Sequence, residues 1–393
     1  MTILGAPGCA WKPTIDGRGV IEVGDQTIEC WYGADDRWHL PTDDALNVRQ
    51  ERLGAAPITE TRTRVPGGDA VQRAWTVPDQ GGVTVVEVEN DSPAPFVVAF
   101  VVRTRSRRGA IRTLRVEDAD VVVDERVVMR LPRSPKRWET SGSRSTRDDV
   151  VGGRAREGTV QPVSGSGIEG AFLFPVPHRT ILRIALGDDV VTDPMRSTAR
   201  SDVEQGWDRL LDRGLRVELP GPLQTAVDQA RADALFALAS PETFIALEAW
   251  GFDAEARDMW SRMSLRERRR AQKRRVETSP LMEVYDALVR VEGERIELLP
   301  GFRTEWLGQS IAVHDVPLGN GTLSFALRWH GARPALLWEA PEGAVLSAPA
   351  LDPAWRGAGG AGETLLSEPP APLLAMGTGA RDGDAVDAPE SFS

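Results

Sequence analysis

The chain has 393 residues, 41% hydrophobic and 27% charged, an ordinary globular composition with length for two or three domains. Its 58 acidic against 47 basic residues leave a net charge of −11, a field that repels phosphate and argues against a general binder of nucleic acid or anionic membrane. No apolar run reaches the roughly 18 residues a transmembrane helix needs.

The opening MTILGAPGCAWKPTIDGRG lacks a basic start followed by an apolar stretch, so no secretory leader and a cytoplasmic location are expected. Two cysteines, Cys9 and Cys30, cannot build a disulfide framework and read as structural thiols. Four scattered histidines have no Cys or carboxylate at zinc spacing, so neither metal nor cofactor is expected. Twelve tryptophans against two tyrosines stand out, and indole rings suit both core packing and stacking on sugars.

The first 215 or so residues read as strands. GGVTVVEVEN (81–90) ends at Asn90-Asp91-Ser92-Pro93, and APFVVAFVVRTRS resumes as a second strand of a hairpin. ADVVVDERVVMRL (119–131) and AFLFPVPHRTILRIAL (171–186) repeat the style, which points to an antiparallel sandwich. Residues 132–158, polar and rich in Gly, Ser and Arg, read as a mobile surface loop.

Near residue 216 the period changes. Pro222 opens a helix with Leu223, Val227, Ala230, Ala234 and Leu238 on one face. Ser240 caps a second, stopped at Gly251, and Phe252, Ala256, Trp260 and Met263 mark a third. Ser264 and Glu267 form a capping box before LRERRRAQKRR, and Ser279-Pro280 starts a fifth helix. From about residue 294 strands return, and the acidic tail 371–393 reads as disordered. In LRWHGARPALLWE (327–339) the alternation predicts a hairpin, with Trp329 and Trp338 as cross-strand neighbours on its buried face.

Three stretches carry a family resemblance: LPTDDALNVRQERLGAAPITETRTRVPGGDAVQRAW (40–75), FIALEAWGFDAEARDMW (244–260) and LLPGFRTEWLGQSIAVHDVPLGNGTLSFALRWHGARPALLWE (298–339). Together they resemble the glycoside hydrolases and phosphorylases built on a six-hairpin α/α toroid, glucoamylase-like and glycogen-debranching-like. The resemblance implies a multi-domain fold of an N-terminal antiparallel β-sandwich (1–215), a short α-helical segment as a truncated toroid (216–292) and a small C-terminal β-sandwich (293–370). A full toroid of twelve helices needs on the order of 200–300 residues, and this chain supplies far fewer.

The resemblance further implies binding of an α-glucan or related oligosaccharide, with catalysis absent or degenerate. If a glycosidic bond is cleaved, two carboxylates act, and Glu248, Glu255, Asp258 and Glu283 are the candidates. Trp250, Trp306 and Trp355, near element ends, are candidates for sugar stacking. The alternative is a non-enzymatic interaction protein whose basic helix 262–275, with Arg266, Arg269, Arg270, Lys273 and Arg274, docks an acidic protein partner. Neither nucleic acid nor membrane is an expected partner.

Overall fold

The structure is a computed structural model that describes residues 1–43, 47–105, 110–141, 145–188, 193–194, 196–273 and 279–369. It is rich in antiparallel sheet, with short helices, and divides into two compact units, Met1–Asp208 and Arg209–Ser393. The expected tail 371–393 lies outside the described residues. Among the described residues, no helix is long and apolar enough to cross a membrane.

Among the described residues the first unit holds two nine-stranded sheets. Gln26–Gly33, Phe96–Thr104, Glu169–Val176 and Arg137–Ser141 are neighbours in the first, and Ile181–Leu186, Val83–Asp91, Gly68–Val77, Thr59–Val65 and Val48–Arg52 in the second. Their inward side chains meet in one core. Tyr32, Val98, Phe100, Phe172 and Phe174 come from the first sheet, and Ala70, Ala74, Val86, Val88 and Ile184 from the second. That is the sandwich the alternation predicts, because period-two strands bury one face each.

Two local expectations fail. Val83–Asp91 and Phe96–Thr104 do not form a hairpin; they belong to opposite sheets, and the chain crosses between them at Asn90–Pro93. Buried Asn90 fixes that corner: its amide donates to the carbonyls of Ala94 (2.9 Å) and Val176 (2.8 Å), and its oxygen accepts the Ser92 backbone N–H (2.9 Å). The 132–158 segment is not simply a surface loop. Arg137–Ser141 is a strand paired with Glu169–Leu173, Trp138 is buried in the core, and Thr146–Val151 is helical. One indole outweighs the polarity of its neighbours in deciding which face is buried.

Among the described residues the second unit contains five helices between residues 221 and 288, namely Gly221–Phe236, Pro241–Ala249, Asp253–Arg262, Leu265–Gln272 and Pro280–Leu288. Their starts follow the caps: Ser240, Ser264 and Ser279 each accept a backbone N–H from the first turn, and Ser264 with Glu267 completes the capping box. A further helix, Arg200–Leu211, occupies a stretch read from sequence as strand. In Gly221–Phe236 the buried stripe is Val227, Arg231, Ala232, Leu235 and Phe236, whereas Leu238 is 78% exposed. Val227 is buried as the pattern predicts, while Arg231, Leu235 and Phe236 take the places expected of Ala230, Ala234 and Leu238.

Among the described residues, seven strands make the third sheet. The hairpin Gly321–His330 with Arg333–Ala348 turns at Gly331-Ala332, where Gly331 takes φ 63°. Its register sets Trp338 opposite Phe325 and Trp329 opposite Pro334, so the two tryptophans are not cross-strand neighbours as expected. The last strand, Asp352–Leu365, pairs with Arg333–Ala348.

Candidate functional site

At one end of the sandwich a cleft of about 760 Å³ opens between turns of both sheets. The first sheet contributes the tight turn Val23–Gln26, with Gly24 at φ 56°. The second contributes the hairpin of Asp120–Val123 with Arg126–Arg130, whose pairing of Val123 with Arg126 leaves a two-residue turn, Asp124-Glu125. Such turns need positive φ at both positions, here 46° and 68°, where glycine or asparagine is usual. Left-handed backbone costs side-chain-bearing residues roughly 1–2 kcal/mol. Local bonds offset it. Asp124 Oδ1 accepts the backbone N–H groups of Arg112 and Thr113, both at 2.9 Å, and Arg115 donates to Glu125 at 2.9 Å.

Trp11 forms an aromatic wall of the cleft. One side of the half-buried ring packs on the sandwich core. Its Nε1–H donates to Thr84 Oγ1 at 2.9 Å, and that hydroxyl is bonded to Thr76 Oγ1 at 2.8 Å. Gly82 lies so close that a Cβ there would meet the Trp11 Cβ at 2.7 Å. The ring is therefore held rigidly, its donor satisfied. Around it stand the carboxylates Asp25, Asp124, Glu125 and Asp188 and the guanidinium groups of Arg112 and Arg126. Arg126 pairs with Asp188. Four negative groups against two positive leave the lining two charges negative, which disfavours an anionic ligand.

Three of the four carboxylates are already engaged. Asp124 is occupied by backbone donors, and Glu125 and Asp188 are held by arginines. What remains is an indole face with hydrogen-bonding groups at its rim, the combination that recognises a polyhydroxylated, uncharged molecule.

The residues expected to stack on sugars are placed differently. Trp250 is fully buried: its Nε1–H donates to the Leu281 carbonyl at 3.2 Å, and the Arg231 guanidinium lies 5.4 Å from its ring centre. Trp306 is buried against Phe302, with 5.7 Å between ring centres. Neither presents a face to a ligand. Trp355 stays half-exposed beside Trp338, 5.2 Å between centres and 67° between planes.

The candidate acids scatter over the helices. Glu248 and Glu283 are exposed, Asp258 pairs with Arg262 one turn on at 2.9 Å, and Glu255 pairs with Arg213 at 3.1 Å. The expected basic surface stands in solvent on Leu265–Gln272 and just past it, with Arg266, Arg269, Arg270 and Lys273 exposed and Arg270 3.6 Å from Glu242. Arg274 lies outside the described residues.

Sequence reasoning missed a dense charge cluster among the described residues. On the face of the second sheet opposite the core, Glu60 accepts Arg62 at 2.5 Å and Arg73 at 2.6 Å. Arg73 also reaches Glu87 at 3.1 Å and Glu89 at 2.6 Å, and Arg183 closes on Glu87 at 2.8 Å. Burial works against the Glu60 charge, yet Arg73 and Arg62 outweigh it and hold the carboxyl below its usual range. Three arginines bind three glutamates, so this cluster reads as a structural ladder rather than a proton donor. Its signal was available: Glu60 and Arg62 in TETRTRV, and Glu87 and Glu89 in VEVEND, alternate with period two on one face.

No protein-family model matches the chain, and no curated protein matches it. Among solved structures it is similar to a bacterial glucoamylase complexed with acarbose, at 8% identity and a TM-score of 0.46, over 66% of this chain and 49% of that one. The chain thus spans about half the length of that enzyme.

Proposed function

We propose that this protein is carbohydrate-associated and binds an uncharged oligosaccharide, an α-glucan or a related chain, in the cleft of its N-terminal sandwich, without turnover. The observation that carries the reading is Trp11, a rigidly braced indole lining a cleft of about 760 Å³ with a net negative rim. An apolar sugar face stacks on such a ring while its hydroxyls pair with Asp25, the Gln26 amide and the remaining acceptor oxygens of the engaged carboxylates. The scatter and ion pairing of Glu248, Glu255, Asp258 and Glu283 favour binding over hydrolysis.

Thermal unfolding against malto-oligosaccharides, trehalose, other glucans and anionic sugars, with product analysis on the same samples, tests this. A ligand at a hundredfold its Kd stabilises the native state by about 2.7 kcal/mol. For a unit of this size that raises the melting temperature by roughly 5–10 °C. Stabilisation by neutral glucans, none by anionic sugars and no product is the expected result. Product formation would return the helix acids to consideration and overturn the non-catalytic part. No stabilisation by any sugar would overturn the whole reading.

A second reading rests on a different observation, the exposed cations Arg266, Arg269, Arg270 and Lys273. A surface of that kind fits an acidic protein partner. Its binding would weaken steeply with salt, whereas stacking on a sugar would scarcely respond.

A further inference from the structure

The strand Asp352–Leu365 is paired along one edge only; among the described residues no strand lies on its other edge. The strand is fourteen residues long, roughly 45 Å. Near its ends the carbonyls of Pro353 and Trp355 accept Arg356 and that of Leu365 accepts Arg333. Between them the backbone groups on the open edge, from Arg356 to Thr364, are a template for another strand. Exposure along it shows a break in alternation. Arg356, Ala358, Ala361 and Glu363 are exposed, while Trp355, Gly357, Gly362 and Thr364 are half-buried, so the facing reverses across Gly359-Gly360. Gly360 there takes φ 89°, and the register with the neighbouring strand shifts between Ala340 and Val345.

That reversal lets the strand match itself. Laid antiparallel on a second copy about an axis between Gly359 and Gly360, Arg356 faces Glu363, Gly357 faces Gly362 and Ala358 faces Ala361. The members of each pair share one face of the sheet. A regular strand would fail, because seven steps of alternation put residues 356 and 363 on opposite faces. Arg356 Nη1 donates within its own strand to the carbonyls of Pro353 (2.9 Å) and Trp355 (2.6 Å), which leaves the other guanidinium nitrogens for Glu363. With the bulge, the seam carries two such arginine–glutamate pairs related by the axis, and no large side chain stands between them. The second copy is therefore favoured by charge as well as by backbone.

We propose that two copies of this chain join edge to edge through Asp352–Leu365, making their third sheets continuous across a two-fold axis. This interface is independent of the sugar cleft. Sedimentation of the full chain over a concentration series tests it, with Arg356→Glu, Glu363→Arg and the double exchange. The wild type is expected to dimerise, and each single variant, which sets like charges opposite each other twice, to weaken the dimer by at least about tenfold. The double exchange recreates both pairs in reverse and is expected to recover the dimer, which also distinguishes loss of the seam from loss of the fold. A monomer at every concentration, or a dimer indifferent to both single variants, would overturn the proposal.

Discussion

Cys30 lies on the strand Gln26–Gly33, facing the sandwich core and 3% exposed. Burial, partly opposed by its hydrogen bond with Tyr32, pushes its thiol up to about 12. Iodoacetamide at mildly alkaline pH is expected to leave Cys30 unmodified in the native protein and to alkylate it once denaturant unfolds the sandwich. Peptide mass mapping reads the difference. Glu60 sets an opposite kind of limit. Its carboxyl is held below the usual value by Arg73 and Arg62, so the folded state binds fewer protons than the unfolded one. That contribution to stability is complete above the unfolded carboxylate range, near pH 4.3, and is lost as pH falls through the lowered folded value. Urea midpoints measured from pH 6 to pH 3 should decline in the acid limb, and a Glu60→Gln variant should decline less steeply while starting less stable.

Among elements, the hairpin at Asp124-Glu125 shows best how local chemistry positions the cleft. Its backbone is strained, and Asp124 ties it to the start of the strand Thr113–Glu117 through two N–H groups. Asp124→Ala removes the acceptor of both, at a cost of about 1–2 kcal/mol. Faster amide exchange at Arg112 and Thr113, with the sandwich core unchanged, is the expected readout. The same scale shows what was legible in sequence. Caps at Ser240, Ser264 and Ser279 and the alternation in TLSFALRW fixed helix starts and strand faces, since each signal is local. Strand partners were less legible, because Val83–Asp91 and Phe96–Thr104 look like a hairpin until the side chain of Asn90 sends the chain to the other sheet. Trp250 reads alike whether it stacks on a sugar or, as here, on the buried Arg231. Trp11 is not legible as a site residue, because nothing in its neighbours announces that Thr84, far along the chain, will brace it.

At the scale of the whole molecule, a large sandwich is one unit, while the helices and the third sheet together form the other. We propose that residues 216–292 act as a reduced helical segment between the two β-rich parts, too short for a ring of twelve helices. The binding role assigned to the sandwich cleft then does not depend on a toroid. It rests on Trp11. Isothermal titration of the intact chain and of Trp11→Phe and Trp11→Ala with a long malto-oligosaccharide tests this most directly. Binding by the wild type, weakened by Trp11→Phe and abolished by Trp11→Ala in a protein that still melts cooperatively, is the expected result. Equal heats from all three proteins, or none from the wild type, would contradict it.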